Sequence, residues 1–206
     1  MQKILIATTN PGKFKEITQY LKDVPAEFVS LKDLGITHEV YEDGDTYIYN
    51  SQKKAKEYAV LAQLPAISDD GGLEIDALGG EPGVQSRYWA GPEGRDEDLI
   101  EKMKIVAKEL PDENRKAQFR AVLSLAMPDG RVWSVEGSVE GEIAKEPNFE
   151  LLAGLPYRSF FYLPQIQKYY HEVELTGEEK IEYNHRYKAI QELKKIIYEM
   201  FLVDKE

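Results

Sequence analysis

Cysteine is absent from all 206 residues, which removes disulfides, thiolate zinc sites and cysteine nucleophiles from consideration together. Also missing is any apolar run approaching the ~20 residues that a bilayer-spanning helix needs, so no membrane association is expected. Met1-Gln2-Lys3-Ile4-Leu5-Ile6-Ala7 leads straight into a strand-like segment without an apolar signal core and cleavage site. A cytoplasmic protein is the expectation. Positive charge is in deficit: 26 Lys and Arg against 37 Asp and Glu give a net charge of −11. Such a charge repels nucleic-acid backbones unless a local basic groove exists, and no basic run occurs, so no nucleic-acid partner is expected. Internal repeats and low-complexity linkers are lacking as well.

What remains is ordinary for a soluble globular chain, 42% apolar and 31% charged. Its length suits one large domain or two small lobes with a self-sufficient core. Lys3 to Thr8 is a nearly continuous apolar run of the kind found in parallel strands. Thr8-Thr9-Asn10-Pro11-Gly12 is a turn, and Lys13 to Leu21 follows as a helix with Phe14, Ile17, Tyr20 and Leu21 on one face. Phe28 to Leu31 reads as a second strand, and Gly44 to Ala62 begins in turn residues and becomes an amphipathic helix. Ala66-Ile67-Ser68 reads as a short strand ending at an Asp pair, and Gly79 to Gly83 as a loop. Arg95 to Leu110 is a charged amphipathic helix stopped by Pro111. Phe119 to Met127 and Val132 to Gly137 alternate around Asp129-Gly130, a hairpin signal, with Val139 to Ala144 extending that sheet. Phe160 to Leu163 is strand-like and Gly177 to Phe201 is a long helical tract. The pattern predicts an α/β architecture with a mixed sheet, taken as one domain over 1–206; a hairpin-rich lobe near Arg115–Glu146 is compatible with it.

Two segments carry chemistry. In Ser68-Asp69-Asp70-Gly71-Gly72-Leu73, two adjacent carboxylates offer hard oxygen ligands suited to Mg²⁺, and the glycines allow a tight turn and close approach of a ligand to the main chain. The same letters also describe an ordinary loop, and the two readings compete. Thr8-Thr9-Asn10-Pro11-Gly12-Lys13 joins the first strand to the first helix, where backbone N–H groups attract anions and Lys13 adds a full charge. It is not a P-loop, because Phe14 follows the lysine and Ala7 stands where the first glycine belongs. A plain strand-to-helix turn remains the competing reading.

Together with later segments these residues resemble a known family. Thr8-Thr9-Asn10-Pro11-Gly12-Lys13-Phe14-Lys15-Glu16 resembles the T-x-N-x-x-K-x-x-E signature of the inosine triphosphate pyrophosphatase family. Ser68 to Val84, SDDGGLEIDALGGEPGV, is similar to its S-D-D-S-G-L-x-V-D-A-L-x-G-x-P-G-V block. Glu178-Glu179-Lys180 and Asn184-His185-Arg186 are similar to its E-E-K and S-H-R elements, so the likeness spans most of the chain in order.

The resemblance implies an elongated mixed sheet in two lobes with flanking helices and a nucleotide cleft between the lobes, and a homodimer. It implies Mg²⁺-dependent hydrolysis of ITP, dITP and XTP to the monophosphate and pyrophosphate, a nucleotide-pool sanitation activity. A triphosphate needs its charge neutralised and its attacking water activated, which accounts for the residue types. By match to the motifs, Asp70 is the general base and a metal ligand, Asp69 its supporting neighbour in the catalytic pair, and Glu42 the metal-binding glutamate. Thr8, Thr9, Asn10 and Lys13 form the triphosphate loop, with Gly71 beside the Asp pair and Lys180 in the E-E-K element. Lys54 faces the phosphates or is a solvated helix lysine among Lys53, Lys54 and Lys56. His185 and Arg186, at the start of the last helix, contact the purine, Arg186 donating to an oxo group. Such donors favour hypoxanthine or xanthine over adenine.

The chain departs from the family at four places. Its G-G-F-G-Y-D-P-x-F element reads Ala153-Gly154-Leu155-Pro156-Tyr157-Arg158-Ser159-Phe160-Phe161, so Leu155 and Tyr157 line the expected base pocket and the acid has become Arg158. A charge reversal there changes which purine edge is read or adds a phosphate contact. Tyr49 replaces the glutamate of F-x-E-N-A. S-A-R-Y reads Gln85-Ser86-Arg87-Tyr88-Trp89, with Arg87 either serving for the displaced arginine or belonging to a dimer surface. Asn184 stands for a serine, and either side chain can cap a helix. Two rivals follow: the same chemistry with a shifted base specificity, or a catalytically idle nucleotide-binding protein.

Overall fold

A computed structural model describes residues 1–148, 154–171 and 173–201; Ala153 of the expected base-pocket element lies outside them. Seven strands, β1 (Gln2–Ala7), β2 (Ala26–Ser30), β3 (Ala66–Ile75), β4 (Lys116–Ala126), β5 (Val132–Ile143), β6 (Phe161–Leu163) and β7 (Lys168–Tyr169), form one sheet in the order β2-β1-β3-β4-β5-β6-β7. β1 pairs in parallel with both β2 and β3, whereas β5–β6 and β6–β7 are antiparallel, so the sheet is mixed as expected. The helices are α1 (Pro11–Tyr20), α2 (Tyr47–Ala62), α3 (Asp96–Glu109), α4 (Gly177–Glu182) and α5 (His185–Phe201). No helix among the described residues is long and apolar enough to cross a membrane.

The chain divides into two compact units, to both of which β3, β4 and β5 contribute. The first comprises Met1–Asp70, Ala121–Gly137 and the segment from Arg186 onward. There the apolar run of β1 is used on both faces, as a parallel strand requires. Ile4 and Ile6 pack with Ile17 of α1, with Leu21 just after it and with Ile190, Leu193 and Ile197 of α5, while Leu5 and Ala7 pack with Ala55, Tyr58 and Ala59 of α2. The second unit comprises Gly71–Arg120 and Ser138–His185. Its core sets Leu99, Met103 and Ala107 of α3 against Leu73, Phe119, Ile143, Phe161 and Tyr170.

Two expectations change. Gly177 to Phe201 is broken into α4 and α5 at Tyr183–Asn184, where Asn184 stands immediately before α5 as a capping residue would. And β3 does not end at the Asp pair: Asp69, Asp70, Gly71 and Gly72 all lie within one continuous strand, which overturns the ordinary-loop reading. The glycine at 72 serves packing rather than a turn. A Cβ there would lie 2.1 Å from Ser86 Oγ and 2.4 Å from the Gly83 carbonyl oxygen. Ser86 cannot easily swing away, because its hydroxyl accepts from the Leu73 N–H at 3.0 Å and donates to the Gly83 carbonyl at 2.6 Å. Gly72→Ala is therefore expected to cost about 1–3 kcal/mol through overpacking, measured as a lowered urea midpoint. An unchanged midpoint would show that the Ser86 turn yields without cost.

Candidate active site

The polar residues that follow β1 and the acid pair in the middle of β3 gather in the first unit. In the first unit, Asn10 caps α1, its side-chain oxygen accepting from the Lys13 N–H at 3.0 Å, with Pro11 opening the helix. The Thr8 hydroxyl accepts from the Asn10 N–H at 3.2 Å, and Thr9 is exposed. This cap aims Lys13 at β3, where its ammonium lies 2.6 Å from Asp69.

Asp69 has no exposed surface. Its carboxylate accepts from Arg186 Nε at 2.7 Å and more weakly from Nη2 at 3.4 Å, and Arg186 Nη1 also pairs with Glu16 of α1. Burial alone would raise the Asp69 carboxyl, but Arg186 and Lys13 outweigh it and hold the group well below the usual carboxylate range. The guanidinium of Arg186, expected on the purine, pairs here with two carboxylates inside the protein, and only 3% of the residue is exposed. Likewise Asp69 holds these cations and has no surface with which to meet a substrate. Glu16 matches the last letter of the T-x-N-x-x-K-x-x-E signature but had no role assigned from the sequence; its place three residues after Lys13 puts it on the same helix face.

Asp70, the next residue along β3, has the opposite electrostatics. Burial pushes its carboxyl up to about 6, with Glu42 adding to the rise and Lys13, Lys54 and a hydrogen bond from Asn50 opposing it. Lys54 of α2 pairs with Glu42 and donates to the Asp69 carbonyl at 2.8 Å, so it faces the site rather than solvent. Tyr49, in place of the family glutamate, is half exposed, with its ring against the backbone of Gly44. Among the described residues no group of three or more His, Asp or Glu side chains gathers as a metal cluster. Glu42 and Asp70 supply two carboxylates, which fits a Mg²⁺ that keeps most of its coordination for waters and substrate phosphates.

In the second unit, Gly71 continues β3, Lys180 lies half-buried in the last turn of α4, and Leu155 precedes a short 3₁₀ turn at Pro156–Phe160. Tyr157 is buried with its hydroxyl donating to the Ser86 carbonyl, and burial raises its phenol. The guanidinium of Arg158, also buried, lies 4.6 Å from the Tyr170 ring centre, and the Tyr170 hydroxyl is 3.0 Å from His185 Nδ1. His185 stacks on Phe119 with ring centres 5.3 Å apart. Arg87 donates to the Gly94 carbonyl at 2.6 Å and so closes its own loop.

A model of the Ham1 family matches residues 4–196. The chain is 39% identical over 197 residues to the dITP/XTP pyrophosphatase of Bacillus subtilis (strain 168), covering 96% of this chain and 98% of that protein. It is 41% identical over 194 residues to a dITP/XTP pyrophosphatase of Thermus thermophilus, covering 93% and 89%. Among solved structures, the Ham1 protein of Staphylococcus aureus aligns with a TM-score of 0.79 at 32% identity, over 96% of this chain and 99% of that one. A HAM1 protein from Coxiella burnetii aligns with a TM-score of 0.81 at 33% identity, over 97% and 100%.

Proposed function

The chain belongs to the Ham1 family, and from that membership we propose that it hydrolyses purine nucleoside triphosphates, ITP, dITP and XTP, to the monophosphate and pyrophosphate. The observation that carries this reading is the electrostatic division of the Asp pair. Asp69 is locked as a carboxylate by Arg186 and Lys13, and Asp70 is pushed up to about 6. Of the pair, Asp70 is thus the carboxyl that can take up a proton, as a general base must. Asp70 accepts that proton as the water oxygen bonds to the α-phosphorus; the α–β anhydride bond breaks and pyrophosphate leaves with its electron pair. Glu42 and Asp70 would hold Mg²⁺, which when bound neutralises phosphate charge and acidifies the water. Lys13 and Lys54 supply fixed positive charge, and the positive end of the α1 dipole adds to it. Asn10 keeps the first turn of α1 in shape. The compartment is proposed to be cytoplasmic and the assembly a homodimer, in line with the resemblance.

Pyrophosphate release with Mg²⁺ across ITP, dITP, XTP, dUTP and the ordinary nucleotides tests the reading. ITP, dITP and XTP are expected to exceed ATP by roughly 10²-fold or more in kcat/KM. Turnover of none of them would overturn it.

Arg158 favours a second reading in which the base preference is shifted. A buried guanidinium fixed against Tyr170, itself bonded to His185, places donors where the family carries an acid. On this reading Arg158→Ala alters the ranking of bases across the panel; identical ratios for every nucleotide would remove it.

A further inference from the structure

The ammonium of Lys54 is already engaged. It pairs with the Glu42 carboxylate and donates to the Asp69 carbonyl at 2.8 Å, so one nitrogen joins α2, the segment bearing Glu42 and β3. Two of its three donors are used in this way. Only 13% of the lysine side chain and 21% of the glutamate side chain are exposed, so water screens the pair only in part. Asp70 belongs to the same place. Side chains alternate along β3: Ala66 packs with α2, and Ile67 packs on the other face with α1 and α5, which puts Asp70 on the α2 side.

The segment around Glu42 has other fastenings on both sides of that residue. Tyr58 donates to the His38 carbonyl at 2.9 Å, and Lys53 donates to the Tyr41 carbonyl and to Asp43, both at 2.8 Å. The Asn50 side chain accepts from the Gly44 N–H at 2.8 Å and donates to the Gly44 carbonyl at 3.2 Å. The backbone of Lys54 is anchored as well, because one turn earlier in α2 the Ser51 hydroxyl lies 3.1 Å from that of Ser68 on β3. What is left to move is the tip of a flexible four-carbon stem. The bridge from Lys54 to Glu42 therefore supplies charge balance rather than architecture.

We propose that Lys54 competes with the divalent cation for Glu42: the ammonium seated on the carboxylate keeps the cation off it, and the cation binds only as the ammonium withdraws. This rests on the metal-ligand role that the pyrophosphatase reading gives to Glu42. Two cations drawn to one carboxylate repel each other at contact distance, where solvent screening is weakest. The exchange also reconciles two demands on one side chain. Lys54 cannot neutralise a triphosphate while it is committed to Glu42, and a cation that takes over Glu42 releases the ammonium for phosphate oxygens.

The test uses no nucleotide and so stands apart from the hydrolysis panel. Mn²⁺ is titrated into wild type, Lys54→Met and Lys53→Met, following the water-proton relaxation, with Glu42→Gln giving the background from other acidic groups. Lys54→Met keeps the length of the side chain and loses its charge, and is expected to bind Mn²⁺ about 10-fold tighter than wild type, a usual size for coupled binding. Lys53→Met removes a neighbouring charge that sits on Asp43 instead, and is expected to change the affinity by less than about 2-fold. Unchanged or weaker affinity in Lys54→Met would overturn the proposal. Equal tightening in both variants would do so too, since it would mark a general effect of charge. In isotope-labelled wild type treated with EDTA, NMR should show a scalar coupling from Lys54 Nζ to the Glu42 carboxylate carbon that vanishes at saturating Mg²⁺. A coupling that persists beside bound Mg²⁺, or is missing before Mg²⁺ is added, would overturn the proposal even if Lys54→Met failed to fold. Hydrolysis of no nucleotide in the panel, with the Mn²⁺ and NMR results as expected, would remove the pyrophosphatase reading and leave the competition for Glu42 standing.

Discussion

Asp70→Asn is expected to lose activity and gain stability in the same molecule. Pyrophosphate release should fall by roughly 10²–10⁴-fold, the usual worth of a positioned base, while KM changes little. The stability gain follows from the raised carboxyl. A carboxylic acid whose folded pKa of about 6 exceeds its unfolded value binds more protons folded than unfolded between the two. Stability therefore falls as pH rises from roughly 4 to 6, by up to about 3 kcal/mol, and is then flat. The asparagine carries no charge at any pH and escapes this loss. In EDTA, the variant should match wild type near pH 4 and exceed it progressively up to pH 6. The excess persists at pH 8, at about 2–4 °C of unfolding midpoint per kcal/mol. Equal midpoints at pH 8 would mean that the Asp70 carboxylate is not held at a cost, and undiminished turnover would remove it from the chemistry.

That trade shows which parts of the molecule were legible beforehand. β1, α1, α3 and the Asp129-Gly130 hairpin follow from local signals: an apolar run, an apolar helix face, a proline stop and turn residues flanked by alternation, although α1 begins at Pro11, inside the segment read as a turn. β3 runs past Ser68 against expectation because two acids and two glycines carry no strand signal of their own. Gly72 is dictated by Ser86 and Gly83, which the chain brings beside it only after folding. The site divides the same way. Residue types and order picked out Lys13, Glu42, Asp69 and Asp70 through family likeness, but their electrostatic roles depend on long-range partners. Nothing local distinguishes Asp69 from Asp70. What separates them is that the first meets a guanidinium 117 residues away, whereas the second is buried beside Glu42.

Arg186→Leu should be among the most destabilising substitutions in the chain. Arg186 balances Asp69 and Glu16, and both carboxylates are buried, at 0% and 5% exposure. Deleting one partner of a buried pair typically costs about 3–5 kcal/mol, because the charge left behind is neither hydrated nor matched. The pH dependence gives the mechanism. In wild type, Asp69 is held below its unfolded value, so its contribution is complete above roughly pH 4 and is lost as pH falls toward the folded value. Without the guanidinium, burial dominates and raises that carboxyl, and the variant instead loses stability as pH rises. The gap between the two proteins should reach its full size by pH 7 and narrow toward pH 4, as the buried carboxyls of the variant take up protons, measured as urea midpoints along a pH series. Arg186→Lys restores a charge without the fork that spans two carboxylates, and should recover only part of the gap. Were Arg186 purely a base-reading residue, both variants would keep the wild-type midpoint at every pH and differ only in KM. A wide gap at pH 7 that narrows in acid would instead show Arg186 to be the counter-ion that keeps Asp69 charged.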